Sequence, residues 1–350
     1  MRACPGCFRS NTWVSNAPPA EAEAGYCDFC ARTAEQTWPT TTWTESLVRL
    51  LDIYEVVHEP DSSLSELHVQ VQNDWQIFDY ENLENIRTFL MDALPTDNPL
   101  LQAGKQVRLR YEASGPKADH TISWRSFSEE IRFRNRYFPQ TEPDLELLRH
   151  AIEGSVVSVS QGTVLFRARR IQDGGPFSTE EMGAPPIEGA VGGRANPVGI
   201  PYLYLSCDDS TCIYETRVAN HTEICVGSFR TVHELKILDL ANISHPDFFS
   251  VDNPIAGIAV FNYMKRLGDE LKKPVRSSDQ PIDYIPTQYL CELAKSFGID
   301  GVQYSSSLNP SGRNIVLFDV EAAQCEPPVR VAKITGLTAS WDYVNIAQSS

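Results

Sequence analysis

The sequence predicts an α+β protein in which a mostly helical first part is followed by a mixed α/β second part. Glycine gives the first indication, because four of the 20 glycines lie in residues 1–150 and 16 lie beyond. Glycine-rich, turn-rich stretches are typical of domains with binding loops. The second indication is a series of short apolar runs after residue 154 that alternate only partly with helical patterns, which favours a mixed sheet.

Composition and charge exclude several function classes. The 350 residues are 42% hydrophobic, so the chain can bury a sizeable core. The net charge is −16, and it is spread over both halves, −9 in residues 1–150 and −7 in the rest. A nucleic-acid duplex repels such a surface, so nucleic acid is not expected as a partner. No run of 18 apolar residues predicts a membrane span, and the N-terminus has no apolar signal segment. We therefore expect a cytoplasmic protein.

Two helices are predicted in the first part. Residues 44–57 have apolar positions on a helical period, and Thr42 and Glu45 have the spacing of a capping box at its start. A second helix is predicted over residues 142–153, with Gly154 just past its end. The domain boundary is placed at that glycine.

The second part is predicted to contain short strands and helices around one long loop. Residues 174–199 hold seven glycines and four prolines, which indicates a loop. A helix is predicted over 210–219 with Asp209 or Ser210 as its cap, and another over 286–297. The predicted strands are 156–159, 163–167, 201–205, 235–240, 301–304 and 314–319.

Four cysteines at the start of the chain predict a metal site. Cys4-x-x-Cys7 and Cys27-x-x-Cys30 are separated by 19 residues, and two such pairs suit a tetrahedral Zn²⁺ ion. Redox dithiols, an iron site of the rubredoxin type and unpaired thiols are the alternatives. Four cysteine ligands leave no open position, so we expect a structural zinc ion. Residues 1–40 carry few basic side chains, which disfavours nucleic-acid binding by this segment. We expect the metal site to stabilise the fold or to form a surface that binds a partner.

Four segments of the second part draw attention as candidate site residues. Each is weak alone, because an arginine beside glycine is usually paired, a tyrosine in an apolar strand is usually core, and a glutamate on a short helix is usually at the surface. The first is Arg167 after a strand, and the second is the Gly193-Arg194-Ala195-Asn196 segment that leads to Tyr204. The third is Glu215 on the next helix. The fourth comprises residues 300–306 and 312–318, which include Tyr304, Ser306 and Asn314.

In this order and spacing the segments resemble the RES domain, named for its Arg, Glu and Ser. The resemblance covers about residues 160–320 and departs from the family pattern at Ala195 and Ser305. It implies a fold similar to ADP-ribosyltransferases and action on NAD⁺. By the same resemblance the catalytic residues are Arg194, Tyr204, Glu215 and Ser306, and the NAD-binding residues are Arg167, Gly193, Asn196, Tyr304 and Asn314. Many RES domains are toxins that an Xre-type antitoxin holds silent.

These residue types suit cleavage of the nicotinamide–ribose bond. The transition state resembles an oxocarbenium ion, so a carboxylate such as Glu215 can stabilise it. Arg194 or Arg167 can supply donors to the diphosphate. Tyr204 can stack on the nicotinamide ring, and Ser306 can hydrogen-bond the ribose or Glu215.

The front of the chain resembles the HEPN-associated module that is fused to some RES domains. The segments 73–78 and 124–138 carry this resemblance. HEPN ribonucleases need a histidine four to six residues after an arginine, and none follows Arg134 at that spacing, so ribonuclease activity is not expected. The predicted division is a zinc-ribbon-like segment 1–40, a helical HEPN-associated domain 41–153, a RES domain 154–325 and a C-terminal extension 326–350.

The sequence therefore predicts an NAD⁺ glycohydrolase or phosphorylase of RES toxin type that acts in growth arrest or phage defence. One alternative is mono-ADP-ribosyl transfer to a protein. Another is a catalytically silent protein that binds a partner through its zinc ribbon. We expect restraint either by an antitoxin or by the N-terminal module, and no membrane partner.

Overall fold

The computed structural model divides the chain into two compact units. The first comprises Met1–Arg125, Pro143–Leu147 and Ser244–Tyr263, and the second comprises Ser126–Glu142, Leu148–Ile243 and Met264–Ser350. The structure describes residues 1–58, 64–79, 82–110, 120–141, 145–171, 175–273 and 281–336, without the side chains of residues 120–125 and 147. Within these ranges no helix has the length and apolar character that a membrane span requires.

The described helices and strands follow the chain in mixed order. The helices are α1 (Asn11–Ser15), α2 (Thr44–Leu51), α3 (Leu67–Trp75), α4 (Leu83–Ala93), α5 (His120–Phe133), α6 (Leu145–Glu153), α7 (Asp209–Glu215), α8 (Pro254–Lys272) and α9 (Ile285–Ser296). The strands are β1 (Arg2–Ala3), β2 (Glu23–Tyr26), β3 (Thr33–Pro39), β4 (Tyr54–Val56), β5 (Ser65–Glu66), β6 (Gln106–Leu109), β7 (Val156–Val159), β8 (Val164–Arg170), β9 (Leu203–Ser206), β10 (Glu223–Thr231), β11 (Leu235–Asp239), β12 (Gly301–Ser305), β13 (Arg313–Leu317) and β14 (Ala323–Lys333).

The first unit joins two small sheets through an aromatic core. One sheet has the order β1-β3-β2 and the other the order β4-β6-β5. Phe8 lies between the rings of Trp43, Phe78 and Phe89, with ring centroids 4.7–5.9 Å apart. Large aromatic side chains bury the most apolar area per residue, so this cluster supplies much of the core.

A segment from the second half of the chain completes this core. The ring of Phe248 stacks on Trp13 at 6.2 Å and meets Trp75 edge-on at 5.7 Å. Residues 244–263 therefore pack with the first unit although they lie within the predicted 154–325 range. The four-part division of the chain stays a prediction.

The second unit is built on one mixed sheet of eight strands. The strand order is β14-β10-β8-β9-β13-β12-β11-β7. The pair β11–β12 is parallel, and the other described pairs are antiparallel. This mixed sheet, together with the helices of the first part, agrees with the predicted α+β class.

The two faces of the sheet carry separate apolar clusters. Leu165, Leu205 and Ile315 lie in one cluster, whereas Phe166 and Ala168 pack in the other with residues of α7 and the segment after it. Because side chains alternate between faces along a strand, β8 contributes to both clusters. The face that carries Phe166 and Ala168, here called the α7 face, holds the candidate site.

Several predicted elements differ from the structure. Residues 44–57 do not form one helix, since α2 ends at Leu51 and β4 begins at Tyr54. The capping box is wrong, because Thr42 Oγ1 donates to Glu21 Oε2 at 2.7 Å instead. The cap of α7 is Asp208 rather than Asp209 or Ser210, and its carboxylate accepts from Thr211 N.

Other predictions fall partly outside the described residues. Helix α6 is described from Leu145, so the predicted start at residue 142 lies outside them, as do residue 174 and residues 337–350. The strands β10 and β14 and the helix α8 have no counterpart among the predicted elements.

A substitution at Gly301 can test the close approach of β12 and β13. A Cβ at Gly301 would overlap the backbone oxygen of Val316, which cannot move without disturbing the strand pair. We expect Gly301→Ala to lower the free energy of unfolding by about 1–3 kcal/mol, as overpacking does. The control is Gly189→Ala, whose Cβ would meet Pro186 at an ordinary 3.7 Å. Urea unfolding of both variants checks the prediction, and equal midpoints would contradict it.

Candidate active site

A row of side chains crosses four strands on the α7 face of the sheet. Phe166 is paired with Ser206, Ser206 with Asn314, and Asn314 with Tyr304. Residues directly opposite each other in antiparallel strands point to the same face. All four line a pocket of about 210 Å³.

Helix α7 places a carboxylate over this row. Asp208 caps the helix through Thr211 N at 2.7 Å, and Asn309 Nδ2 donates to Thr211 Oγ1 at 2.8 Å, so the loop between β12 and β13 is attached to the helix. Glu215 is the last residue of α7 and lines the pocket. The helix thus presents one carboxylate at a fixed position above the sheet.

Two donors hold one oxygen of this carboxylate. Ser306 Oγ donates to Glu215 Oε1 at 2.7 Å, and Asn314 Nδ2 donates to the same oxygen at 2.8 Å. Ser306 and Asn314 are buried, at 2% and 6% exposure. Hydrogen bonds to a carboxylate in such surroundings are strong and fix its orientation.

Tyr204 fastens the glycine-rich loop to the sheet. Its hydroxyl donates to Asn196 Oδ1 at 2.7 Å and accepts from Ala195 N at 3.2 Å. The amide nitrogen of Asn196 donates to the backbone oxygens of Val191, Pro197 and Ile200. The polar ends of Tyr204 and Asn196 are therefore engaged within the loop, while the tyrosine ring lines the pocket.

Gly193 is required by this arrangement. A Cβ there would lie 2.6 Å from Asn196 Oδ1 and 2.7 Å from Tyr204 Oη, closer than real contacts. From the other side, Gln288 Nε2 donates to Gly193 O at 2.7 Å and Thr287 Oγ1 donates to Arg194 O. The start of α9 thus holds the same loop.

The two candidate arginines are engaged with backbone oxygens. Arg194 Nη1 donates to Leu271 O at 3.0 Å, near the end of α8, and its guanidinium carbon lies 5.7 Å from the centroid of the Tyr284 ring. Arg167 contributes to the pocket wall, but strand alternation directs its side chain away from the α7 face, and its Nη1 donates to Tyr204 O. Burial, with the neighbouring charge of Arg169, lowers the pKa of Arg167 to about 10, so it remains cationic at neutral pH.

Tyr304 stays protonated in this site. Burial raises its pKa well above the ordinary value for tyrosine, and the carboxylate of Glu215 acts in the same direction. A neutral tyrosine in a pocket can donate one hydrogen bond from its hydroxyl.

The structure brings most of the predicted site residues together. Arg167, Tyr204, Glu215, Tyr304 and Asn314 line the pocket. Ser306 contacts Glu215, and Gly193 and Asn196 frame the loop, whereas Arg194 is not among the described residues that line this pocket. The roles assigned to these residues stay predictions.

Sequence reasoning missed Ser206 and Phe166. Ser206 lies two residues after Tyr204, so the period of a strand puts both on the same face. The predicted strand ends at residue 205, whereas β9 ends at Ser206, so this periodicity was not applied to the serine. The pairing of Phe166 with Ser206 is long-range and leaves no local signal.

The four N-terminal cysteines form a cluster that can bind a metal. Their Sγ atoms all lie within 4.8 Å of one another, with Cys4–Cys7, Cys4–Cys30 and Cys7–Cys27 separations of 3.8, 3.5 and 3.3 Å. A tetrahedral ion with bonds of ~2.3 Å to sulfur needs a sulfur–sulfur spacing of about 3.8 Å. Burial raises the pKa of Cys4 to about 11, whereas backbone hydrogen bonds from Cys30 and Phe29 outweigh burial at Cys27 and lower its pKa to about 7.

The second unit is thus a mixed α/β domain, and its pocket contains an oriented carboxylate, as enzyme active sites do. The RES domain family profile matches residues 164–343, just over half of the chain, and the chain belongs to this family. No curated protein matches the chain. A similar solved chain occurs in the crystal structure of the M. tuberculosis MbcT–MbcA toxin–antitoxin complex, at 15% identity, covering 54% of this chain and 93% of that chain with a TM-score of 0.32.

The anchoring role of the Tyr204 hydroxyl can be tested without a substrate. We expect Tyr204→Phe to keep the fold and to speed hydrogen exchange at Ala195 N, because this N–H loses its acceptor and the loop loses a bond worth about 1 kcal/mol. Exchange over residues 191–200, followed by mass spectrometry, is the measurement. Tyr214→Phe, at an exposed position, is the control, and an unchanged loop in Tyr204→Phe would show that the hydroxyl does not anchor it.

Proposed function

We propose that this chain cleaves the nicotinamide–ribose bond of NAD⁺, by hydrolysis or phosphorolysis, and acts as a RES-type toxin in growth arrest or phage defence. The observation that carries the proposal is Glu215, whose carboxylate is held by Ser306 and Asn314 above the pocket. The position of this carboxylate is fixed before a substrate arrives.

The chemistry of the bond suits a site with one carboxylate. The bond breaks with its electron pair going to the nicotinamide nitrogen, so the leaving group departs neutral and needs no proton. Positive charge develops on the ribose, where a preorganised anion stabilises the transition state more than the substrate. Water or phosphate then adds to the ribose carbon, and an attacking water gives its proton to the solvent.

The pocket walls offer matching surfaces for the nicotinamide ribose. The rings of Phe166, Tyr204 and Tyr304 can contact a flat aromatic group, and the Tyr304 hydroxyl can donate to a ribose or amide oxygen. Arg167 is the cationic side chain among the described residues that line the pocket, and it can contact a phosphate if it turns from the Tyr204 carbonyl.

ADP-ribosyl transfer to a protein remains the second candidate reaction. Val191 and Val198 are largely exposed on the loop that Tyr204 anchors, an apolar surface that a protein acceptor could contact. Radiolabelled NAD⁺ distinguishes the reactions, because only transfer leaves label on a protein. If neither reaction occurs, a silent partner-binding protein becomes the better account.

Restraint of the activity is part of the proposal. RES toxins are commonly held silent by an antitoxin, and we propose either such a partner or inhibition by the N-terminal module. The chain would act in the cytoplasm, where thiols remain reduced.

The role of Glu215 makes a direct prediction. Glu215→Gln keeps an oxygen that can accept from Ser306 and Asn314, but it removes the charge. We expect NAD⁺ turnover to fall about 10²–10³-fold, the cost of removing one transition-state electrostatic partner. Nicotinamide release, measured by chromatography, checks this.

Glu321→Gln, at an exposed glutamate whose only described polar contact runs through its backbone N–H, serves as the matched control. Near-normal turnover in Glu215→Gln would remove the carboxylate from the mechanism. The wild type, the control and the variant are compared at equal protein concentration with phosphate present and absent.

We also propose that Cys4, Cys7, Cys27 and Cys30 hold a structural Zn²⁺ ion. Metal analysis should find about one zinc per chain, and Cys27→Ser should lose most of it and lower the melting temperature, because metal binding contributes to folding free energy. Cys325→Ser, at a free cysteine that is not a member of the cluster, is the control and should keep its zinc. Iron in place of zinc, or no metal, would contradict the assignment.

A further inference from the structure

The two oxygens of Glu215 have different surroundings. Oε1 accepts hydrogen bonds from Ser306 Oγ and Asn314 Nδ2. In the described part of the chain, Oε2 has no hydrogen-bond donor. One oxygen is therefore held by the protein, and the other is the one available to a ligand in the pocket.

The hydroxyl of Ser306 donates its hydrogen bond to one acceptor. Its oxygen already accepts from Leu308 N and Asn309 N, each at 3.1 Å, so both acceptor positions are used. The hydrogen is then directed to Glu215 Oε1. The loop that follows β12 thus fixes the direction of this bond.

The amide of Asn314 depends on a further residue. Ser206 and Asn314 are opposite each other in the β9–β13 pair, and Ser206 Oγ donates to Asn314 Oδ1 at 2.7 Å. Both side chains are buried, at 3% and 6% exposure, so the bond is shielded from water. It leaves the amide nitrogen facing Glu215.

A reversed amide would disrupt the site. Asn314 Oδ1 would then face Glu215 Oε1, and two acceptors would lie at the present 2.8 Å separation. The donor from Ser206 favours the orientation in which the amide nitrogen points at the carboxylate. Without that donor, Oδ1 becomes a buried acceptor with no partner, which is costly.

We propose that Ser206 is a positioning residue, which fixes the Asn314 amide so that Asn314 and Ser306 hold Oε1 of Glu215 and Oε2 alone acts in the pocket. This inference rests on the proposed role of Glu215 in NAD⁺ cleavage. It assigns Asn314 to the carboxylate rather than to NAD⁺ binding. Ser206 itself acts through Asn314.

The test compares Ser206→Ala, Ser206→Thr and Thr231→Val. Thr231 is a buried strand hydroxyl of the same unit, 2% exposed, which accepts from Thr163 N and donates to Ser160 O. Its loss therefore reports the general cost of deleting a buried hydroxyl. Ser206→Thr keeps the hydroxyl and suits a strand.

Two readouts are made on the full chain. The first is kcat and KM for NAD⁺, where Ser206→Ala should lower kcat about tenfold, the effect of about 1.4 kcal/mol, with little change in KM. Ser206→Thr should restore kcat. The second is the hydrogen exchange rate of the Asn314 side-chain amide, measured by NMR. The Asn314→Ala variant assigns the signal. We expect this exchange to become faster in Ser206→Ala only.

The outcomes separate this inference from the proposed function. The inference is overturned if Ser206→Ala lowers kcat no more than Thr231→Val does, or if the Asn314 amide exchanges at the wild-type rate. If the wild type does not cleave NAD⁺, the free chain lacks the proposed activity, and the NMR readout alone decides whether Ser206 fixes the amide. Melting temperatures of all variants identify any loss of folding.

Discussion

The register of the central strands β8, β9, β13 and β12 is the constraint on which the site depends. The α7-face row of Phe166, Ser206, Asn314 and Tyr304 exists only because each residue is directly opposite the next. A slip by one residue would turn each side chain to the other face. The alternating apolar residues of β9 and β13, which pack in the core on the opposite face, oppose such a slip. The packing of that core therefore also determines which polar groups meet Glu215.

Some residues of the RES motif line the pocket, and others, here called frame residues, hold the glycine-rich loop in place. Glu215 and Tyr304 face the pocket, whereas Gly193 and Asn196 hold the loop to Tyr204 and to the start of α9. A frame residue affects chemistry through position, since an error of about 1 Å in a catalytic group can cost 10²-fold in rate. Loss of activity on mutating a motif residue is thus insufficient to place it in contact with substrate. Measurements of loop exchange and of kcat against KM make that distinction.

Local patterns predicted the elements around the site and missed contacts that join distant segments. The strands near 156–159, 163–167, 301–304 and 314–319 were predicted within a few residues, because each apolar run has a glycine at its start or within two residues before it. Strand β10 was missed because cysteine, glycine and serine interrupt its apolar pattern. Thr42 has the spacing of a cap, but its hydroxyl donates to Glu21, and no local rule contains that bond. Within the site, the same limit applies to Ser206, whose partner lies 108 residues away.

The neutral donors that hold Glu215 favour a cationic reacting group over an anionic one beside this carboxylate. Glu215 is the carboxylate of the pocket wall, and the donors that hold it, Ser306 and Asn314, are neutral, so its negative charge is oriented without being cancelled. Arg167 is turned toward a backbone oxygen, and Arg194 donates to the end of α8. In the proposed reaction, a cationic counterpart within the bond network of Glu215 would lower the field at the ribose. Neutral donors instead keep the full charge available as positive charge develops, which is the condition for stabilising an oxocarbenium-like transition state.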